Sequence, residues 1–197
     1  MHQHYVISVV SRDRIGIVAD VSSALAALGG DIADLRQSVL RDYFTMILLA
    51  SFQVTVSAEV IQRQTAQASA SDLPPLPVTV IAADAADEGS AVVHGRSSVV
   101  GRPSSAQSNY LLTARGPDRV GFVASVAAFC ARNGLNILDL ATTVADGRYV
   151  MMLLVDVSRC ADLDAVRRQL QEFGQANGLE AVLQHEAIFR ATNEVDQ

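Results

Sequence analysis

Short apolar runs and helically spaced apolar positions alternate along this chain, and their order is the same in its two halves. Runs such as YVISVV and YLLTAR predict strands, whereas apolar residues three and four positions apart predict amphipathic helices. The first helix of each half carries such a stripe: Ile17, Val18, Val21, Leu25 and Leu28, then Phe122, Val123, Val126, Phe129 and Cys130. Gly29 and Gly134 follow these stripes, where a left-handed residue commonly ends a helix. Each half is therefore predicted to open with a strand and a helix.

A strand pair, a second helix and a last strand complete each half. The strand pairs are DIADLRQSVL with YFTMILLASF and NILDLATTVA with RYVMMLLVDV, joined by the short turns RD and DG. The second helix is clear in the second half, where Leu163, Val166, Leu170 and Phe173 form one stripe. In the first half SAEVIQRQTAQASAS is a weaker helical pattern, and the last strands are PVTVIAA and LEAVLQH. The order β-α-β-β-α-β thus occurs twice.

The two halves are related by a constant offset of 105 positions. Tyr5 falls on Tyr110, and RDRIGIVADV falls on PDRVGFVASV. Sixteen of the 48 aligned positions between residues 5 and 52 are identical to their counterparts, and no gap is needed. A unit of about ninety residues is too long for a solenoid repeat, so the pattern indicates two duplicated domains.

The repeated order predicts an α+β fold with two ferredoxin-like domains. Two right-handed crossovers around an antiparallel hairpin give each domain an antiparallel four-stranded sheet with both helices on one face. The opposite face still carries apolar side chains, so we expect it to pack on another sheet or on a partner chain. The predicted domains span residues 1–83 and 109–197, and residues 84–108, rich in Ser, Gly and Ala, form a predicted linker.

Composition narrows the possible partners. The net charge of −6 argues against broad electrostatic binding to nucleic acid. No apolar run is long enough to span a bilayer, and no stretch has the pattern of a secretory signal. Half of the residues are hydrophobic, which allows a packed core, and the two cysteines give no disulfide framework. We therefore expect a cytoplasmic protein that binds neither membranes nor nucleic acid directly.

Nothing in the sequence points to catalysis or to a cofactor. A nucleophile elbow, a phosphate loop, a dinucleotide fingerprint and metal-ligand spacing are all absent. His2 and His4 have metal-like spacing, but a frayed terminus accounts for them. His185 stands beside Glu186 after the last strand, where a structural or interface role is favoured. The prediction is a protein that is not an enzyme and holds neither a metal nor a cofactor.

The repeated turn is followed, after its helix, by GGDI in the first half and GLNI in the second. These residues resemble the ACT domain, a regulatory module with a Gly-x-Asp-Arg-Pro-Gly-like turn and a Gly-x-Asn-Ile element. The tandem is similar to the glycine-cleavage transcriptional repressor group, which consists of two ACT domains. Ile15 and Val120 stand where the family commonly has Pro, and Asp31 stands where it has Asn.

The resemblance implies a ligand site near each turn, where two domains meet. The positions that correspond are Asp13, Arg14, Gly16, Ile17 and Asp31 in the first domain, and Asp118, Arg119, Gly121, Phe122 and Asn136 in the second. Glycine lets a backbone approach a ligand closely, and the N–H groups of a helix N-terminus suit a carboxylate. Asn136 can donate and accept, whereas ionised Asp31 only accepts and should favour an ammonium group. We therefore expect the two sites to differ.

The aspartates, glycines and arginines of the repeated turn also have a structural interpretation. The two aspartates of the repeated turn stand where helix N-caps are expected, and capping is the favoured main role. The two glycines could serve close packing of helix against strand. The two arginines are expected to be solvated charges more often than ligand clamps.

The leading hypothesis is a non-catalytic regulator that binds an amino acid or a similar small metabolite between ACT domains and so changes its affinity for a partner protein. The resemblance implies a link to glycine cleavage or transcriptional regulation. The alternatives are a ligand-free ACT interaction module and a regulatory subunit of an amino-acid biosynthetic enzyme. Two ACT units can pair edge to edge or face to face, and we expect a homodimer in addition.

Overall fold

The computed structural model describes residues 3–69, 73–83, 109–145 and 147–187. The first domain contains β1 (Gln3–Arg12), α1 (Ile17–Ala27), β2 (Gly30–Leu40), β3 (Tyr43–Phe52), α2 (Ala58–Ala66) and β4 (Val78–Ala83). The second contains β5 (Asn109–Gly116), α3 (Phe122–Arg132), β6 (Asn136–Ala145), β7 (Arg148–Asp156), α4 (Leu163–Asn177) and β8 (Glu180–His185). The predicted α+β fold of two ferredoxin-like units is confirmed. The predicted linker lies outside the described residues, and the domain limits stay predictions.

The strands of both domains form one sheet of eight, in the order β4-β1-β3-β2-β6-β7-β5-β8. Every pairing within each domain is antiparallel. β2 also pairs with β6 in antiparallel orientation and joins the domains edge to edge. Of the two arrangements that the sequence left open, the chain therefore adopts the edge-to-edge one, and β4 and β8 remain at the outer edges.

The helices cover one face of this sheet, and the core lies between them. Alternate strand residues point to that face, such as Ile7 and Val9 of β1 and Leu153 and Val155 of β7, which are fully buried. Helices α1 and α3 contact each other across the domain boundary, so the core continues through both domains. No helix in the described part of the chain is long and apolar enough to cross a membrane.

The junction between β2 and β6 combines a short backbone ladder with buried polar side chains. The ladder pairs Arg36 with Ala141, Gln37 with Leu140 and Ser38 with Asp139. Next to it, the Thr142 hydroxyl accepts from the Leu35 N–H group at 2.8 Å and lies 3.2 Å from the Asp34 carboxylate. Gln37 Nε2 donates to the Ile137 carbonyl at 3.3 Å. Side chains thus extend the hydrogen bonding beyond the three backbone pairs.

Replacing Thr142 by valine should weaken this junction while keeping the side chain's shape. The variant removes two hydrogen bonds of the Thr142 hydroxyl, one accepted from the Leu35 N–H group and one donated to the Asp34 carboxylate, which together contribute about 1–3 kcal/mol. The Leu35 N–H group keeps Asp34 Oδ1 as an acceptor at 2.9 Å. We expect the free energy of unfolding in urea to fall by that amount. Thr143→Val is the matched control, because Thr143 is exposed, and should change stability by less than about 0.5 kcal/mol. Equal losses in the two variants would contradict the role assigned to Thr142.

The face of the sheet opposite the helices carries exposed apolar side chains. Ile47, Ile81 and Val182 are 52%, 61% and 50% exposed. Exposed apolar surface of this kind often marks an interaction site. The expectation that this face packs on a partner stays a prediction.

Candidate functional site

Each repeated turn faces the domain boundary and meets a residue of the other domain. The first interdomain pocket is lined by Asp13, Arg14, Gly16, Ile17, Phe44 and Asn136. The second interdomain pocket is lined by Asp118, Arg119, Gly121, Phe122, Tyr149 and Asp31. Every candidate from the sequence borders one of the two pockets. However, each pocket combines the turn of one domain with the strand residue of the other domain. Asn136 completes the pocket of the first turn, and Asp31 completes the pocket of the second.

This combination of domains follows from the symmetry of the junction. Arg36 and Ala141, which lie opposite each other in the β2–β6 ladder, are themselves 105 positions apart. A pseudo-twofold axis therefore passes through this pair. Because the strands run antiparallel across that axis, the start of β6 lies beside the first turn and the start of β2 beside the second.

Asp13 and Asp118 do not cap their helices, so the predicted capping role is wrong. The N-cap residues of α1 and α3 are Gly16 and Gly121, and neither helix has a side-chain cap hydrogen bond. Each aspartate stands three positions before its N-cap residue. The Asp13 carboxylate instead accepts a hydrogen bond from Asn136 Nδ2 at 2.9 Å, across the domain boundary.

Gly16 and Gly121 are required by backbone conformation rather than by close packing. Their φ angles are 98° and 83°, in the left-handed region that favours glycine. A Cβ atom at either position would lie at least 3.7 Å from the nearest atom, which is ordinary contact. The packing role considered from the sequence is therefore not what selects glycine here.

Arg14 and Arg119 attach their turns to their own domains. Arg14 Nη2 donates to the Asp20 carboxylate at 2.8 Å and to the Ser69 hydroxyl at 2.7 Å. Arg119 Nη2 donates to the Asn177 carbonyl at 3.1 Å. The expectation of a solvated charge is wrong for Arg14, whose side chain is 28% exposed and paired with Asp20.

The Asp13 carboxylate has one oxygen paired and the other unpaired. Oδ2 accepts from Asn136, whereas Oδ1 is buried without a partner among the described residues. Leaving a buried acceptor unpaired is costly. An N–H donor placed in the first pocket would satisfy this oxygen.

The second pocket has a carboxylate where the first has an amide. Burial, and then the negative charge of Asp118, raise the pKa of Asp31 above its ordinary value, against the hydrogen bond from the Ile32 N–H group. Two ionised carboxylates cannot hydrogen-bond each other. The counterpart of the Asn136–Asp13 bond is therefore missing, and negative charge collects at the second pocket.

Asp31→Asn should stabilise the protein at neutral pH. Because the pKa of Asp31 is raised by folding, the stability linked to its proton is present at low pH and is lost as the pH rises through that raised pKa. The variant removes this loss. We expect a gain of at most about 1 kcal/mol at pH 7, since solvent screens this half-buried group, and no gain near pH 3. Urea unfolding at both pH values measures it, and a loss of stability at pH 7 would contradict the interpretation.

The candidates predicted from the sequence did not include two matched pairs of pocket residues that lie outside the repeated turn. Phe44 and Ala127 border the first pocket, and Tyr149 and Ser22 border the second. Phe44 matches Tyr149, and Ser22 matches Ala127, at the repeat offset. The repeat therefore relates these residues to one another, but only the tertiary structure shows that they meet the turns.

Each pocket has free volume for about one water molecule. That volume is ≈ 10 Å³ in both. Even glycine is larger, so an amino acid can enter only if a turn or a whole domain moves. Binding of such a ligand would therefore be coupled to the packing of the two domains.

The other chemical groups considered from the sequence have structural surroundings. Burial raises the pKa of the Cys130 thiol to about 12, which keeps it protonated at neutral pH. His185 Nδ1 accepts from the Ala187 N–H group at 3.2 Å, and its ring packs edge-on against Tyr110. His2 lies outside the described residues, within which no group of three or more metal-ligating residues comes together.

Comparison with known families identifies both units. A family model described as the ACT domain matches residues 3–73 and again residues 109–184. This chain belongs to the ACT domain family. ACT domains are regulatory modules, so the tandem belongs to a regulatory class of protein.

Individual relatives match either one ACT unit or most of the length of the tandem. A UPF0237 protein of Methanocaldococcus jannaschii is 34% identical over 84 residues, covering 42% of this chain and 93% of the relative. A protein of unknown function from Galdieria sulphuraria is 25% identical and covers 93% of this ACT tandem and 98% of its own chain, with a TM-score of 0.38. A candidate glycine cleavage system transcriptional repressor is 17% identical, with 93% and 97% covered and a TM-score of 0.36. Similarity at that level does not transfer its function to the tandem.

Proposed function

We propose that this ACT tandem is a non-catalytic regulator that binds an amino acid or a similar small metabolite between its domains and so alters its affinity for a partner protein. The observation that carries the proposal is the crosswise construction of the pockets, each of which joins the turn of one domain to a strand residue of the other. A ligand there contacts both domains. Its binding free energy then depends on how the domains pack, which is the requirement for regulation.

The first pocket offers groups that complement a zwitterion. The unpaired Asp13 Oδ1 can accept from an ammonium group. The N-terminus of α1 carries partial positive charge that suits a carboxylate. Buried Ile17 and Phe44 border the remaining space, and Asn136 can donate or accept. Glycine or a small aliphatic amino acid fits these groups best.

The proposed target is a protein rather than DNA. The net charge of −6 disfavours binding to a polyanion. The elements of both domains are used for the sheet and the helices that cover it. Control of glycine cleavage or of transcription through a protein partner, in the cytoplasm, is the setting that the family resemblance favours.

A ligand-free interaction module is the second candidate, and the small volume of both pockets favours it. In that case the exposed sheet face with Ile47, Ile81 and Val182 would carry the function. Its partner would be a second copy or a biosynthetic enzyme. A homodimer is expected under both candidates, and light scattering on the full chain measures it.

Isothermal titration of the full chain against the twenty amino acids tests the leading proposal. We expect saturable heat from at least one of them at millimolar concentration, with small aliphatic amino acids strongest. Silence across all twenty would overturn amino-acid binding and favour the interaction module.

A matched pair of glycine variants should locate the binding. Gly16→Leu adds a side chain at the first pocket and is expected to abolish the heat from its ligand. Gly147→Leu imposes comparable backbone strain, since Gly147 has φ 69°, but a Cβ atom there meets nothing within 4 Å. The control should keep the heat of the wild type. Retention of the heat in Gly16→Leu would place the binding elsewhere.

A further inference from the structure

The two interdomain pockets correspond position by position, but the second is more polar. Among the lining positions that differ at the offset of 105, three change the polar groups: Phe44 corresponds to Tyr149, Ala127 to Ser22, and Asn136 to Asp31. The first two differences add a hydroxyl group, and the third replaces an amide by a carboxylate. All three give the second pocket more hydrogen-bond acceptors.

The Tyr149 hydroxyl makes no hydrogen bond of standard geometry within the described part of the chain, although the residue is only 1% exposed and the Thr142 hydroxyl lies near it. The nearby Thr142 hydroxyl is already used by the Leu35 N–H group and the Asp34 carboxylate. Buried hydroxyl groups in folded proteins are almost always hydrogen-bonded. Because Tyr149 borders the second pocket, a polar group bound there would give its hydroxyl a partner.

The charges around the second pocket favour a cation. Asp31 is half-buried and feels the negative charge of Asp118, which is exposed at the mouth of the pocket. Arg119 also borders the pocket, but its guanidinium group donates to the Asn177 carbonyl on α4. At the N-terminus of α3, the Phe122 N–H group is already bound to the Arg119 carbonyl at 3.1 Å, which weakens attraction for an anion.

We propose that the second interdomain pocket binds the ammonium group of a primary amine and disfavours ligands that also carry a carboxylate. The inference rests on the proposed function, since it assumes that the interdomain pockets take ligands. Tyr149 accepts one ammonium N–H group, and Asp31 accepts another. The free volume, about that of one water molecule, matches an ammonium group and leaves the rest of the amine towards the exposed mouth.

The first pocket provides the internal comparison. There Asn136 donates to Asp13, so one carboxylate stands beside an amide rather than beside a second carboxylate. A zwitterion meets no paired negative charge in that pocket. The duplicated architecture would thus hold two ligand classes, an amino acid in the first pocket and an amine in the second.

Nuclear magnetic resonance on the full chain can follow each pocket separately. The side-chain amide of Asn136 reports on the first pocket, and the ring of Tyr149 reports on the second. The probes are glycine with methylamine and L-alanine with ethylamine, pairs that differ by one carboxylate. Tetramethylammonium is the control for a cation without N–H groups.

The expected result is a saturable shift of the Tyr149 ring by methylamine and ethylamine at about tenfold lower concentration than by glycine and alanine. Tetramethylammonium should leave the ring unshifted. Asp31→Asn should weaken the response to the amines about tenfold or more, and Tyr149→Phe severalfold, without changing the Asn136 response to glycine. The Tyr149→Phe variant should fold, because the first domain already has a buried phenylalanine, Phe44, at the equivalent position.

Equal responses of Tyr149 to glycine and methylamine, or a response to tetramethylammonium, would overturn the amine assignment while the proposed function stands. An amine response that survives Asp31→Asn would overturn it in the same way. Failure of every probe to move either reporter would overturn the amine site, and silence in the titration of the twenty amino acids would separately overturn the proposed function.

Discussion

The Asn136→Asp variant should unfold with a free energy about 2–3 kcal/mol below that of the wild type at pH 7. The change removes the 2.9 Å hydrogen bond from the amide to the Asp13 carboxylate and places a second carboxylate beside it. A hydrogen bond to a charged group contributes about 1.5–3 kcal/mol, and like charges add to its loss. Any amino acid bound in the first pocket should be released, because the pocket would acquire the charge pattern of the second.

Urea unfolding at pH 7 and near pH 3 measures the loss of stability and shows whether that loss grows or shrinks as the pH falls. The added carboxyl group should have a raised pKa beside Asp13, so the destabilisation should shrink as the pH falls and the group becomes protonated. Asp31→Asn is the reciprocal control, since it makes the opposite exchange at the equivalent position. Stability unchanged by Asn136→Asp at pH 7 would show that the interdomain bond contributes nothing.

The Gly134→Ala variant should be less stable than the wild type by about 2–5 kcal/mol. Gly134 has φ 70°, and a left-handed backbone costs a residue with a Cβ atom about 1–2 kcal/mol. The added Cβ atom would also lie 2.9 Å from the Arg159 carbonyl oxygen, which is backbone and cannot move aside easily. Overpacking of this kind costs about 1–3 kcal/mol more.

The repeat supplies the control for this prediction. Gly29 occupies the equivalent position with φ 74°, and a Cβ atom there would meet nothing within 4 Å. Gly29→Ala should therefore show only the cost of the left-handed backbone, about 1–2 kcal/mol. Thermal and urea unfolding of both variants separates the two terms. A larger loss in Gly29→Ala than in Gly134→Ala would contradict the assigned steric cause.

The equivalent positions show how a duplicated domain can acquire two pockets with different side chains. Because of the duplication, the same backbone turn and the same contact between domains occur twice. Single side chains such as Asn136 and Asp31 then determine which polar and charged groups line each pocket. The two pockets share the architecture, so each serves as the reference for the other. An exchange of side chains between them tests the chemistry with little change in backbone.

The helices and strands, and their order, follow from local patterns in the chain. Local periodicity and turn residues specify strands and helices, and the repeat offset specifies that both units share one fold. Gly29 and Gly134 were sufficient to mark where the first helix of each unit ends, because their conformations are left-handed and local. The candidate turns also followed from the sequence, since their residues are adjacent in it.

The way in which the units meet, and the set of residues that share a pocket, depend on contacts between distant segments. The junction of β2 with β6 depends on edges that are equally able to pair in other ways, so periodicity could not select it. Asp13 resembled a cap because its local sequence allows one, yet its partner is Asn136, 123 positions away. Tyr149 and Phe44 became pocket residues only through that junction. Contacts between distant segments depend on the packing of whole domains, which no local pattern encodes.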